Sequence, residues 1–303
     1  MGVSKKPGVK SPGKHKENKI LEVKEQDELM KFLIANLPDK NRNNIKSLLA
    51  NRQVMVDGRA IKQFNHPLVP GQKVEIRWNR IPEEKQYRGI SIIFEDKDII
   101  VIDKHAGLLS IATANQRSKT AYNMLSTHVK TKGAANKIFV VHRLDRETSG
   151  LMMFAKSEDV QHLLQSNWHT IVKERTYIAI VEGIPEKSKG TITSYLRESK
   201  AMIVYSSQNP EAGQKAVTHY EVMKSGNGYS MLKVNLESGK KNQVRVHMQD
   251  IGHPVVGDKK YGSKLHPIGR LGLHAWVLAF NHPINGELMR FETAIPKKFS
   301  RLL

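Results

Sequence analysis

Apolar positions near the start of the chain recur at helical spacing. Leu29, Phe32 and Leu33 stand at i, i+3 and i+4, and Ile45, Leu48 and Leu49 repeat the pattern after the polar break at 38–41. This predicts two short amphipathic helices. The alternating run Val54-Met55-Val56 closes on Asp57-Gly58, a hairpin signal, and a Pro70-Gly71 turn precedes a last apolar run at 74–78. Residues 20–78 therefore predict a small α+β unit, and the polar stretch 79–89 predicts a linker.

From residue 90 to 303 the period changes to that of strands. Short strands are predicted at 90–94, 99–102, 137–145, 151–156 and 177–182. Two hairpins follow from Asn227-Gly228 between 216–223 and 229–236, and from Asn285-Gly286 between 273–280 and 288–293. Ser157 is an N-cap for a helix whose apolar face is Val160, Leu163, Leu164, Trp168 and Ile171, and Glu158 and Asp159 suit its dipole. Val244, Met248 and Ile251 mark another helix, with Gly252 at its end. Strands dominate and are mostly hairpin-linked. The predicted fold is α+β, a largely antiparallel mixed sheet with packed helices. No repeat of fixed period is present.

Composition adds a partner to this picture. The 303 residues hold 49 Lys and Arg against 29 Asp and Glu, a net charge of +20. Such an excess favours a polyanion, nucleic acid first and an anionic membrane surface second. Residues 1–19, rich in Lys, Pro, Gly and Ser, predict a disordered basic tail that touches phosphates or merely solubilises the chain. There is no cysteine, which removes disulfides, thiol catalysis and Cys-ligated zinc. No apolar run resembles a secretory signal or approaches the ~18 residues that span a bilayer. The expected location is the cytosol, with no membrane role, and a monomer is the default. The histidines show no His-Glu-x-x-His or other metal-ligand spacing, so no metal is expected.

The segment His142-Arg143-Leu144-Asp145-Arg146-Glu147-Thr148-Ser149-Gly150 carries the strongest chemical signal. It sets one carboxylate between two arginines, an arrangement that favours the charged form of a nucleophile or base. Thr148, Ser149 and Gly150 form a turn able to fix it. The same residues also fit an aspartate that simply pairs with its neighbouring arginines at a strand end. Gly239-Lys240-Lys241, before a predicted helix, offers a phosphate contact or a solvated loop. Arg42 and Lys46, with Arg52 just beyond, give the second N-terminal helix one basic face.

The string HRLDRETSG resembles the signature of RluA-type pseudouridine synthases, and other landmarks follow in that family's order. They are Asp103-Lys104-His105-Ala106-Gly107-Leu108 (His105 standing where the family has Pro), Glu174-Arg175-Thr176-Tyr177, Gln243-Val244-Arg245-Val246-His247, His253-Pro254, Gly257-Asp258 and Tyr261-Gly262. The resemblance covers roughly residues 90–300. The stretch 20–78, through "LLANRQVMVDGRAI" and "VPGQKVEIRW", resembles the αL RNA-binding module named after ribosomal protein S-four.

These resemblances imply an enzyme that isomerises uridine to pseudouridine in structured RNA, without metal or cofactor. Ribosomal RNA is the first expected substrate and tRNA the second. They imply that Asp145 acts at the ribose, as nucleophile or base, that Tyr177 stacks on the uracil, and that Arg245 pairs with Asp145. Arg143 would fill the gap left by the flipped base. His142 and His247 are expected as structural hydrogen bonders. Ser238-Gly239-Lys240-Lys241-Asn242-Gln243 departs from the family's Thr-Gly-Arg-Thr-His-Gln and bears on substrate choice, since Lys cannot replace the bidentate contact of Arg. Two contrasting readings are a non-catalytic RNA-binding assembly factor on the same fold, and a base glycosidase that would release free base.

Overall fold

A computed structural model of the chain describes residues 18–78, 87–113, 116 and 118–303. Most of the basic tail and of the linker therefore lies outside the described residues. The chain divides into two compact units, 1–85 and 86–303.

In the first unit, β1 (Lys19–Glu22), β2 (Asp27–Glu28), α1 (Leu29–Asn36), α2 (Arg42–Ala50), β3 (Val54–Val56), β4 (Arg59–Ala60), β5 (Pro67–Leu68) and β6 (Lys73–Ile76) follow in order. Four strands pair as β1-β6-β3-β4. Asn41 and Asn44 cap α2 reciprocally through side chain and backbone. Asp57 and Gly58 both take positive φ, 48° and 78°, as a tight hairpin between twisted strands requires. Leu29, Leu33, Ile45, Leu49, Val54, Val74 and Ile76 close one core. β1 begins at Lys19, inside the stretch expected as tail, because 19–22 pairs antiparallel with β6.

The second unit runs β7 (Ile90–Glu95), β8 (Ile99–Lys104), α3 (Ala121–Lys132), β9 (Phe139–Val140), β10 (Ser149–Ala155), α4 (Glu158–Ser166), α5 (Trp168–Ile171), β11 (Val172–Glu182), β12 (Lys189–Glu198), β13 (Val204–Ser207), β14 (Gln214–Gly226), β15 (Tyr229–Leu236), α6 (Gln243–Asp250), β16 (Leu273–Asn281), β17 (Leu288–Glu292) and α7 (Lys297–Ser300). One sheet is ordered β13-β12-β14-β15-β11-β16-β10-β8-β7, with β17 on β16 and β9 on β10. Its named strand pairs are antiparallel except β10 with β16. The α+β class and the largely antiparallel sheet agree with the expectation.

The central strands are apolar on both faces because both are covered. Ile100 and Ile102 of β8 pack with Leu125 and Val129 of α3, whereas Ile99 and Val101 pack with Val160 and Leu164 of α4. Ala179 and Val181 of β11 meet Val244 and Met248 of α6. The sheet's two halves join where Gly150 lies beside Ala275 in the parallel ladder. Gly150 has φ +113°, and a Cβ there would stand 2.1 Å from the Ala275 carbonyl oxygen, so no other residue fits the seam.

Two further expectations fail. The strand expected over 137–145 is reduced to Phe139–Val140. Beyond it, side chains replace the ladder: the Gln161 amide donates to the Val140 carbonyl at 2.7 Å, and the Met153 N–H donates to His142 Nε2 at 3.0 Å. The helix expected to carry one face from Val160 to Ile171 breaks at Asn167, whose side chain donates to the Leu163 carbonyl, and the Leu163 side chain is exposed rather than part of the buried face.

Glu95 ties the edge of this sheet together. Its carboxylate accepts from His128 and Lys132 at 2.7 Å and from Lys156 at 2.9 Å. Burial opposes its charge, but these donors outweigh it and hold the carboxyl at about 2, against 4.5 in a free chain. The stabilisation is complete above pH 4.5 and fades as the pH falls toward 2. We predict that Glu95→Gln lowers unfolding free energy by roughly 3 kcal/mol at neutral pH. In denaturant titrations the gap between variant and parent should close in acid; a gap independent of pH would refute the ion cluster's role.

Candidate active site

The second unit carries a groove of about 810 Å³, lined by the irregular segment after β9, by α5, β11 and the loop from β15 into α6. Asp145 lies in this groove, on backbone fixed from both sides. Ser110 Oγ donates to the Leu144 carbonyl at 2.7 Å and accepts from the Leu144 N–H at 3.2 Å. The Gly107 N–H donates to the Arg146 carbonyl at 2.9 Å, and the Thr148 N–H closes a turn on the Asp145 carbonyl at 3.2 Å.

Lys104 completes this support from beneath. The side chain is wholly buried and donates to the carbonyls of His105, Leu108 and Arg146 at 3.1, 2.8 and 3.2 Å. Burial lowers its pKa to about 8, so near pH 7 it remains an ammonium with three hydrogens for three acceptors.

Arg245 is the cation that reaches the Asp145 carboxylate. Its Nη1 stands 3.5 Å from Asp145 Oδ2, with the side chains 15% and 24% exposed. Its firmer partner is Asp258, only 1% exposed, which accepts from Nε at 2.6 Å and Nη2 at 2.8 Å. Such a planar fork orients a guanidinium in a way a single contact cannot. Nη1 also donates to Asn242 Oδ1 at 2.9 Å, and the guanidinium lies 4.9 Å from the Tyr261 ring centroid. Burial opposes the charge of Arg245, but the bonds to Asp258 leave its pKa above the ordinary value. Arg143 and Arg146 do not pair with Asp145. Arg143 is exposed in the groove wall, and Arg146 turns to the Gly107 carbonyl and to Glu147.

Tyr177 comes from β11 and lines the same groove, half-buried beside core residues. Burial raises its pKa, with the Asp145 charge adding to the shift, so the phenol stays protonated near pH 7. His142 is held neutral, its pKa pushed to about 3 by burial, and it accepts the Met153 N–H. His247 is likewise buried, at about 4, between Ser194 and Thr218.

Asp145, Tyr177, Arg245, Arg143, Lys240, Lys241, His142 and Thr148 thus line one groove, and Gly150 sits at the sheet seam below. Lys241 is engaged in an ion pair with Glu198. Arg42 and Lys46, exposed on α2, and Arg52 belong to the other unit. The departure at Asn242 has a structural sense. It is buried, holds φ +55°, which Asn tolerates, and its amide bridges Arg245 and the Tyr261 hydroxyl. The sequence did not indicate a role for Asp258, Asn242, Ser110 or Lys104 in holding this site. Three of them lay inside or next to recognised landmarks, and that position was the one available signal.

Asp96, Asp98 and His282 approach within metal-binding distance at the sheet edge. His282 Nδ1 accepts the N–H groups of Ile284 and Asn285, which puts its proton on Nε2, facing Asp96 at 2.9 Å. That leaves no lone pair on His282 Nε2, while Asp98 Oδ2 is buried without a hydrogen-bond partner.

Residues 98–250, which supply much of this groove, match the RNA pseudouridylate synthase family. The chain belongs to that family. It is 30% identical to the uncharacterized RNA pseudouridine synthase YlyB of Bacillus subtilis over 93% of this chain and 95% of that protein. It is 31% identical to the ribosomal large subunit pseudouridine synthase D of Pasteurella multocida over 88% and 87%. The fold aligns with human RNA pseudouridylate synthase domain containing 4 at a TM-score of 0.58, with 24% identity, over 70% of this chain and 92% of the other.

We predict that Lys104→Met costs roughly 2–4 kcal/mol of stability by taking the ammonium donor from the carbonyls of His105 and Leu108 and one of two donors from that of Arg146. The Gly107 amide should lose hydrogen-exchange protection. Unchanged protection there would show that Lys104 does not hold this loop.

Proposed function

We propose that the chain converts uridine to pseudouridine in ribosomal RNA, with Asp145 as the residue that acts at the ribose. The observation that carries this reading is the carboxylate held by Arg245 in a basic groove beside a protonated tyrosine. The names of relatives that act on the large ribosomal subunit support ribosomal RNA over tRNA.

The chemistry follows from where charge develops. The target uridine must leave its stack, at a cost of about a few kcal/mol, and Arg143 in the groove wall is suited to fill the space. The uracil lies on the Tyr177 ring. Asp145 attacks the ribose or removes a proton from it as the bond from C1′ to N1 breaks. The uracil then turns in place, a bond forms from C1′ to C5 as the bond from C1′ to Asp145 breaks or the abstracted ribose proton returns, and the C5 hydrogen leaves as a proton while N1 gains one. Atoms and electrons balance without oxidant, reductant or cofactor. The clamp on Arg245 keeps the carboxylate oriented through both bond changes, so no reorganisation is needed during the reaction.

The unit at 20–78 is proposed as an RNA-binding module of the αL type, with Arg42 and Lys46 one helical turn apart on α2, and Arg52 beyond, contacting phosphates. Residues 90–303 form the catalytic domain in this reading. Among the described residues no helix is long and apolar enough to cross a membrane.

The test is pseudouridine mapping of ribosomal RNA and tRNA from cells lacking the gene, complemented with wild type or Asp145→Asn. One or a few ribosomal sites should disappear and return with wild type alone. If no uridine depends on the gene, or the Asn variant restores modification, the assignment fails and a non-catalytic RNA-binding role takes its place.

A further inference from the structure

Two of the cations that line the groove are already matched with anions. Arg245 has Asp258 and Asp145, and Lys241 has Glu198. Arg175 differs. It stands two residues before Tyr177 on β11 and lines the same groove, yet among the described residues no carboxylate lies within ion-pair distance of it. Its position is nonetheless well defined. The guanidinium lies 5.6 Å from the Trp168 ring centroid, and Nη2 points to the Leu236 and Glu237 carbonyls, each at a long 3.4 Å. Gly239 gives it room, since a Cβ at that position would stand 2.5 Å from Arg175 Nη1.

Burial pushes the pKa of Arg175 down, the signature of a desolvated cation without a compensating anion. Keeping such a group charged without an anion costs free energy, and an entering anion recovers it. The planar guanidinium is suited to the two oxygens of a phosphodiester. Lys240 and Lys215, which also line the groove, add to the potential.

We propose that Arg175, braced between Trp168 and Gly239, binds a backbone phosphate of the RNA strand entering the groove, next to the uridine placed on Tyr177. This rests on the RNA reading above. It assigns a binding duty to a residue outside the reacting centre, and makes Trp168 and Gly239 the residues that position it.

The test uses the full chain and two short fluorescein-labelled oligouridylates, one with natural phosphodiesters and one with uncharged methylphosphonates. Anisotropy gives the dissociation constant of each over a range of salt. Arg175→Gln should weaken binding of the natural strand by roughly tenfold at low salt. The salt slope should fall by about 0.7, the value for one phosphate contact on a single strand. Binding of the methylphosphonate strand should be unchanged, and Arg175→Lys should recover part of the loss.

Thermal melting checks that the variant is folded. Gly239→Ala provides a second route, because it displaces the guanidinium without changing the charge, and it too should weaken only the natural strand. A wild-type chain that binds with Arg175→Gln unaffected, or equally weakened for both strands, overturns the phosphate site alone. A wild-type chain that binds neither strand overturns the site and the RNA reading together.

Discussion

The bidentate pair between Arg245 and Asp258 is the interaction on which the groove depends. A carboxylate buried to 1% exposure accepts two short bonds from one face of the guanidinium and leaves Nη1 aimed at Asn242 and Asp145. The pair is partly desolvated, so removing either partner would strand a charge. Its energetic worth for folding is secondary to its geometric effect. It holds a cation beside Asp145 without relying on Asp145 to hold the cation. The separation at 3.5 Å leaves the carboxylate oriented yet available.

The rest of the unit places the two sides of this contact. Asp145 comes from one half of the sheet, through β10 and the loop fixed by Ser110 and Lys104. Arg245 and Tyr177 come from the other half, through α6 and β11. The halves meet along β16 at Gly150, where an added methyl group would collide with backbone. A glycine that reads as part of a turn is therefore the hinge of the architecture. The rigidity of the groove comes from strands and capped loops rather than from Asp145 itself.

Much of this was legible in the sequence, for identifiable reasons. Hairpins at Asp57-Gly58 and Asn227-Gly228 were readable because positive φ at two successive positions restricts residue choice. The helix cap at Ser157 was readable because an orphan N–H, here that of Val160, seeks a side-chain oxygen. The sequence pattern does not mark helix α3, because its buried positions, Ala121, Leu125 and Val129, are sparse among polar neighbours. The irregular path at 141–145 has the apolar run of a strand, whereas its backbone partners come from Ser110 and Gln165, which local pattern cannot pair with it. Asp145, Tyr177 and Arg245 stood out through a family signature. The buried partners Asp258 and Lys104 stood in the same landmarks, but their contacts form only on folding.

The most direct test of the clamp is Asp258→Asn, assayed in single turnover on ribosomal RNA with binding measured separately. The account predicts that the rate constant at saturating RNA falls roughly 10- to 100-fold, the usual range when a supporting partner of an active-site group is lost. The dissociation constant should stay within a few-fold, because Asp258 is buried away from the groove surface. An unchanged rate in the folded variant would contradict the claim that the Arg245–Asp258 pair organises Asp145 for reaction.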